Sequence, residues 1–566
     1  MSTAAPDPKA KMPGQIPYII ASEGCERFSF YGMRNILTPF LITALLMAHP
    51  AWQEAQAKAE AKDVFHSFVI GVYFFPLLGG WLADRFFGKF NTILVFSLIY
   101  CVGHLFLAIF EHDLEGFYAG LFLIALGAGG IKPLVASFVG DQFDSRTKHL
   151  AKVVFDAFYW IINFGSFFAS MLMPIFLASY GPSVAFGIPG ALMFIATAVL
   201  WLGRRRYVLV PVQPNNPDAF MRVVRTALTT RAPGQGNLGL YVACLGVVLA
   251  IGSVCLTPAG LLDIVPALCL GVVVLIAFGG IGTSMQLERA RGKHSDKAID
   301  GVRAVLGLMI LFALVTPFHS LFDQKASEWI TQGRTMALPD FTFDPTGNTD
   351  FQPAQMQVLN PALVMLLIPF NNLVLYPWLR RRGWDPTPLR RMTFGILFSA
   401  FAWVAAGGLQ LVLDGGDKIS ILWQSLPYLL LTFGEVLVSA TGLEFAYSQA
   451  PFEMKGVIMS LWNLTTSVGN LWVLLVNAGI RNKTVLGQIE KTGLSETAFL
   501  MFFFAAFAAL ATLAFWLYAR RYRMLDNYRT AETPRSRDTD LPTAIASETG
   551  NAGLPEARVV DRDKRD

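Results

Sequence analysis

Charge is scarce in this chain. Only 15% of its 566 residues are Asp, Glu, Lys or Arg, and 54% are hydrophobic. That balance excludes an ordinary soluble domain, which cannot hide so much apolar surface. Cysteine is scarce too: Cys25, Cys101, Cys244, Cys255 and Cys269 all lie in or beside apolar runs. They have neither disulfide nor metal-ligand spacing and read as small buried side chains. A net charge of +5 is too small to point to nucleic acid. No H-E-x-x-H motif and no G-x-x-x-x-G-K-[ST] motif occurs, so neither a zinc hydrolase nor an ATP-driven pump has its signature here. The basic N-terminus lacks the layout of a cleavable signal. No convincing residue-level repeat is visible.

What the chain has is apolar length. Runs of about 20 residues, each able to cross a hydrocarbon core about 30 Å thick, recur from end to end. They predict an all-α polytopic membrane protein in a lipid bilayer; a β-barrel would alternate polarity over about ten residues. Fourteen segments are expected, near 20–47, 64–83, 91–110, 116–138, 153–178, 184–203, 237–257, 262–285, 301–322, 357–379, 392–413, 421–445, 456–479 and 496–519. Boundaries near Pro258, Pro266 and Pro317 are the most exposed to disruption.

Basic residues fall in alternate gaps: Arg85 and Lys89; Arg146, Lys148 and Lys152; Arg204 to Arg206; Arg289, Arg291, Lys293 and Lys297; Arg380 to Arg382 with Arg390 and Arg391. The intervening gaps carry Glu111, Asp113, Glu115, Asp414 and Asp417. The bias predicts both termini in the cytoplasm. The expected organisation is a short N-terminus (1–15), a six-helix half (16–205), a linker holding two extra helices (206–298), a second six-helix half (299–522) with a long outer loop (323–356), and a disordered tail (523–566).

One stretch breaks the apolar rule. SEGCERFSFYGMRNILTPF (22–40) carries Glu23, Glu26, Arg27 and Arg34. At helical spacing these charges share one broad face with Phe30 and Tyr31. Facing lipid, each would cost at least about 2.5–3.5 kcal/mol near the bilayer centre. Two placements avoid that cost: a fixed ion-pair network locking helices together, or a polar translocation path.

Other spans contribute His66 and Tyr73 on one face, Lys132 after a glycine-rich run, Asn163, Asp323, Glu435 with Ser439 one turn on, and Trp462. Separated acidic and basic groups suit a zwitterion, with its ammonium at carboxylates and amides and its carboxylate at Arg and Lys. Carboxylates near arginine can also exchange that partner for a proton. The composition thus points to a small-solute transporter coupled to protons.

These residues also carry a family likeness. The first helix resembles the E-x-x-E-R-F-x-Y-Y-G signature of proton-dependent oligopeptide transporters, a branch of the major facilitator superfamily. FYWIINFGS (158–166) resembles the branch's second signature. GGWLADRFFGKF (79–90), with Asp84, Arg85 and Gly88, resembles the superfamily's loop between helices two and three. LFDQKASEW (321–329) and TGLEFAYSQAP (441–451) resemble the part of the family that includes animal peptide transporters.

The resemblance spans roughly 16–525. It implies two six-helix bundles rocking about a central site, with two helices inserted between them. It implies uptake of di- and tripeptides with protons, no cofactor, and one chain forming the whole pathway. It assigns Arg34 and Lys132 to the peptide carboxylate, and Asn163, Asn360 and Glu435 to its amine. Tyr31, Tyr73 and Trp462 become pocket walls, with Ser439 at a pocket position. Glu23, Glu26 and Arg27 become a proton-coupling cluster, with Asp323 linked to coupling or gating and His66 to proton handling. The host is expected to be a plasma membrane, most simply a bacterial inner membrane.

Two positions depart from the pattern. Phe30 replaces the first tyrosine of a pair. His319 replaces a tryptophan and reads as a packing or locally hydrogen-bonded residue, with a proton role as the alternative. Transport of nitrate or another small peptide-like solute is the competing substrate reading.

Overall fold

The computed structural model describes residues 11–47, 53–143, 147–210, 217–231, 236–344, 347, 349–449 and 455–522. The expected disordered tail, and residues 1–10 of the N-terminus, lie outside the described residues. The long helices are α1 (Ile16–Phe40), α2 (Glu54–Phe74), α3 (Gly88–Ile109), α4 (Leu114–Asp141), α5 (Lys148–Tyr180), α6 (Pro182–Leu202), α7 (Leu238–Val254) and α8 (Ile264–Gln286). They continue with α9 (Asp296–Asp323), α10 (Leu359–Phe370), α11 (Pro388–Asp414), α12 (Ser425–Glu435), α13 (Lys455–Ile480) and α14 (Glu496–Ala519).

Among the described residues, 11 stretches are long and apolar enough to cross a membrane by length and composition. Three places separate that count from the fourteen segments read in the sequence. Glu54–Ile109 is taken as one stretch although the chain turns at Gly88, whose φ of 73° suits glycine. Leu238–Val254 is shorter than the others. The polar first helix is not among the 11.

Several boundaries move. α1 begins at Ile16 and passes at Leu41 into a π turn. α2 begins at Glu54, ten residues before its expected start, so His66 lies near its middle rather than its beginning. The three suspect prolines resolve differently. Pro258 lies in the turn after α7, Pro266 in the first turn of α8, where its missing N–H costs nothing, and Pro317 inside an unbroken α9.

Packing divides the helices. One apolar core runs from Ile16 to Tyr207 and reaches Ala326; two further cores draw on residues between Val223 and Phe515. α1 packs on α5 and α6, and α3 on α4 and α6; α11 packs on α12 and α14, and α9 on α13 and α14. The two groups meet along α2–α13 and α5–α10. α7 and α8 form a hairpin, with α8 against α2 and α13. Close helix approach needs glycine: a Cβ on Gly79, in the short helix Pro76–Leu82, would overlap the Gly129 carbonyl oxygen of α4.

The loop after α9 is structured. Short helix Glu328–Gly333 buries Trp329, whose ring lies 4.9 Å from Tyr428 and 5.9 Å from Trp403. This anchors the loop to α11 and α12.

Candidate functional site

The charged face of α1 turns inward. Glu23 and Glu26 are buried, and both meet one guanidinium: Arg27 Nε lies 2.6 Å from Glu23 and 3.2 Å from Glu26. Only the Glu23 contact is aligned as a hydrogen bond; among the described residues both Glu26 oxygens lack one. Tyr31 packs edge-on against Phe30, with centroids 5.4 Å apart. Two turns on from Arg27, Arg34 is buried and ion-paired with Asp323 of α9. Its guanidinium also lies 5.3 Å from the Phe65 ring centroid. The residue expected to receive a peptide carboxylate is thus occupied here by a carboxylate of the protein.

Asp323 has a second partner. Asn470 of α13 donates from Nδ2 to Asp323 Oδ2 at 2.7 Å and to the Thr466 carbonyl at 2.9 Å. Its Oδ1 is therefore turned to His66 Nδ1, 2.7 Å away. That contact requires the proton on Nδ1; Nε2 lies 3.1 Å from Ser327 Oγ, whose hydroxyl also has the Gln324 carbonyl within 3.3 Å. Arg34, Asp323, Asn470, His66 and Ser327 form one buried polar chain across the two helix groups.

The same end of the molecule carries more cross-links. Lys62 meets Glu328 at 2.5 Å, and Arg481 pairs with Asp63. Thr38 Oγ1 donates to the Ala326 carbonyl at 2.9 Å, and Gln355 Nε2 to the Met171 carbonyl at 3.0 Å. These contacts join the two helix groups near Ala326, Glu328 and Gln355.

A second charged group lies on the α9–α14 side. Asn360 Nδ2 donates to Glu435 at 2.5 Å and to Thr432 Oγ1 at 3.1 Å. Its Oδ1 accepts from Lys325 Nζ at 2.8 Å. The ammonium of Lys325 also sits 3.3 Å from the Phe322 ring centroid. α12 ends at Glu435 and a π turn follows over Val436–Ala440, so Ser439 does not keep the α-helical i,i+4 register expected of it.

Lys132, on α4, rests its ammonium 3.4 Å from the Phe30 centroid and 4.7 Å from that of Tyr73. Pro133 follows inside the helix. Asn163 donates to its own helix, to the Tyr159 carbonyl at 3.0 Å. Trp462 packs 5.5 Å from Phe312 and 6.1 Å from His319, with its outer ring edge filling the space a Cβ on Gly442 would need.

Among the described residues, the centre thus holds four acidic side chains (Glu23, Glu26, Asp323, Glu435) and four basic ones (Arg27, Arg34, Lys132, Lys325), shared between the helix groups. Such a balanced set can trade internal partners for the ends of a zwitterion or for protons. Sequence reading had missed Lys325, Asn470, Ser327 and Thr466. Signals existed: Lys325 lies within the quoted LFDQKASEW, and TTSVGN (465–470) is a polar run inside a span.

Comparison with known proteins decides the family. The model of the POT family matches residues 90–491. The chain belongs to the POT family. This POT family member is 31% identical over 413 residues to Peptide transporter 3 of Caenorhabditis elegans, covering 70% of this chain and 51% of the relative. It is 29% identical over 429 residues to Solute carrier family 15 member 1 of Rattus norvegicus, covering 71% and 52%. The chain spans about half the length of the curated relatives it matches. Among solved structures, an auto-inhibited POT family peptide transporter shares 65% identity with a TM-score of 0.87, over 92% of this chain and 99% of that one. The POT family transporter PepTSo shares 62% identity, also at 0.87, over 92% and 100%. The fold is of the major facilitator type, and the chain is a multi-pass membrane protein.

Proposed function

We propose that this protein takes up di- and tripeptides together with protons by alternating access. The observation that carries the reading is the balanced set of buried charges divided between two helix groups, with Arg34 and Asp323 paired across the seam. Relatives named as peptide transporters favour peptide over nitrate as the solute.

In this mechanism the two groups of six helices, about 16–205 and 299–522, rock around the central site. The basic end faces the cytoplasm and loop 323–356 faces outward, in a bacterial inner membrane. The conformation described above is then closed to the outside. Opening separates Arg34 from Asp323 and His66 from Asn470 and Ser327. Freed Arg34, with Lys132, takes the peptide carboxylate. Asn360, Glu435 and Asn163 take the amine, and Tyr31, Tyr73, Trp462 and Ser439 line the space between.

Protons reach His66, Asp323 and the Glu23–Glu26–Arg27 cluster. Each can bias the equilibrium only because its partners differ between the two states. An inside-negative potential of 100 mV adds about 2.3 kcal/mol per elementary charge carried fully across. No bond of the peptide is broken, no cofactor takes part, and a single chain supplies both helix groups.

The test is uptake of labelled dialanine into liposomes with an imposed inward proton gradient, followed by its collapse with an ionophore. Gradient-dependent accumulation, competed by other dipeptides but not by free alanine, is the expected result. Uptake indifferent to the gradient defeats the coupling. No uptake by folded protein, with uptake of nitrate instead, defeats the substrate assignment.

A further inference from the structure

His319 lies one turn before Asp323 on α9, with its side chain buried. Its Nδ1 meets Thr466 Oγ1 of α13 at 3.3 Å. Its ring stands edge-on to Trp462 at 6.1 Å, and a Cβ on Gly469 of α13 would fall 2.9 Å from its own Cβ. Among the described residues its buried Nε2 has no hydrogen-bond partner. Leaving such an atom unpaired is unfavourable, a cost that a merely packed ring would avoid. When Nδ1 donates to Thr466, Nε2 is a bare lone pair.

The rungs between α9 and α13 make the position more telling. His319 pairs with Thr466 and Asp323 with Asn470, each pair one helical turn from the other. All four residues belong to the same helix group. The other partners of this chain, Arg34 and His66, belong to the opposite group. Opening the seam therefore removes the Arg34 charge from Asp323 and leaves it Asn470 as hydrogen-bond partner, with Lys325 of the same helix group in its field. Side chains at i and i+4 on a helix have Cβ atoms about 5–6 Å apart, within reach of an opposite charge.

The charged group acting on His319 is Asp323. From α13 it meets Trp462, Thr466 and Gly469, none of which changes charge. Lys325, two residues beyond Asp323, is hydrogen-bonded to Asn360 and lies in the field of Glu435 first and of Asp323 as well.

We propose that His319 is a second proton carrier on α9, which takes a proton on Nε2 when the outer side opens and becomes the counter-charge of Asp323 in place of Arg34. The proton comes from external water through the opened seam and forms an N–H bond at the Nε2 lone pair. When the seam closes, Arg34 returns to Asp323, a second buried cation beside it is unfavourable, and the N–H bond breaks to release the proton to water on the cytoplasmic side. Trp462, against the ring, places this charge change next to the candidate peptide pocket. The inference rests on the peptide–proton symport reading.

The experiment compares wild type, His319→Asn and His319→Phe in proteoliposomes, measuring KM for dialanine at external pH 5.5, 6.5 and 7.5. Asn keeps an amide near the Nδ1 position; Phe keeps the ring against Trp462. One linked proton changes apparent affinity by up to about tenfold per pH unit. The expected result is that both variants lose up to that much of the wild-type slope. A wild-type slope in either folded variant overturns the proposal. Wild-type liposomes without gradient-driven uptake would instead remove the symport reading on which it rests.

Discussion

The ammonium of Lys132 sits 3.4 Å from the centre of the Phe30 ring. Phe30 is the position at which this chain lacks the first tyrosine hydroxyl of its family signature, and the phenyl face serves there as a seat for the cation. A desolvated cation–π contact contributes about 0.5–2 kcal/mol. Phe30→Leu keeps the bulk and removes the π face. It should raise KM for dialanine by about 2- to 30-fold, whereas Phe30→Tyr should stay near wild type. Equal KM values for the Leu and Tyr variants would show that the ring face is not what holds Lys132.

Asn470 joins the seam by bonding both Asp323 and His66. Asn470→Leu leaves buried groups on both sides short of a partner, at about 1–3 kcal/mol each. Because the loss falls on the closed conformation, the variant should populate the outward-open state more. Spin labels on the facing ends of α2 and α13, in a chain with its native cysteines replaced, should report a longer distance population. An unchanged distance distribution would count against Asn470 as a seam residue.

Lys325 and Glu435 are linked through Asn360. Removing one charge from such a buried pair strands the other, typically at about 3–5 kcal/mol. Lys325→Met and Glu435→Gln should each lower the Tm of the purified protein. The double variant should recover much of the loss. Additive losses in the double variant would mean that the two charges do not compensate each other.

Neighbouring glycines give a contrast in packing. Gly79 faces the Gly129 carbonyl oxygen, while Gly80 has no described residue within 4 Å of a Cβ. Gly79→Ala should destabilise by about 1–3 kcal/mol through overpacking. Gly80→Ala should be neutral or stabilising by up to about 1 kcal/mol through helix propensity. Thermal unfolding in detergent separates the two.

The linker after α6 has its own latch. Asp218 accepts from Ser295 Oγ at 2.6 Å and contacts His294 Nδ1 at 3.1 Å; His294 Nε2 reaches Thr226 Oγ1 at 2.8 Å. The Ser295 hydroxyl first, then His294, holds the Asp218 carboxyl below its ordinary range. A depressed carboxylate stabilises above its unfolded value, about 3.9, and that contribution disappears as pH falls through the folded value. Hydrogen exchange in helix Phe220–Thr229 should therefore quicken on acidification below about pH 4. Asp218→Asn should abolish the acid-dependent increment, and its persistence in that variant would assign it elsewhere.

The sequence alone determined that this chain lives in a bilayer and that its first helix must turn its charges inward, and it carried the family likeness that comparison with known proteins decided. Those conclusions follow from local quantities: the length of an apolar run, the cost of a charge in hydrocarbon, the order of signature residues. It also drew attention to Arg34, Asp323, Glu435 and Lys132 one by one. Only the tertiary structure decided their partners. Arg34 meets Asp323 across 289 residues of chain, and His66 meets Asn470 across 404. Helical spacing fixes which side chains share a face, but it does not fix which face of another helix they meet. The bare Nε2 of His319 and the ring seat under Lys132 arise from packing between helices, where no periodicity within one helix can specify the neighbour.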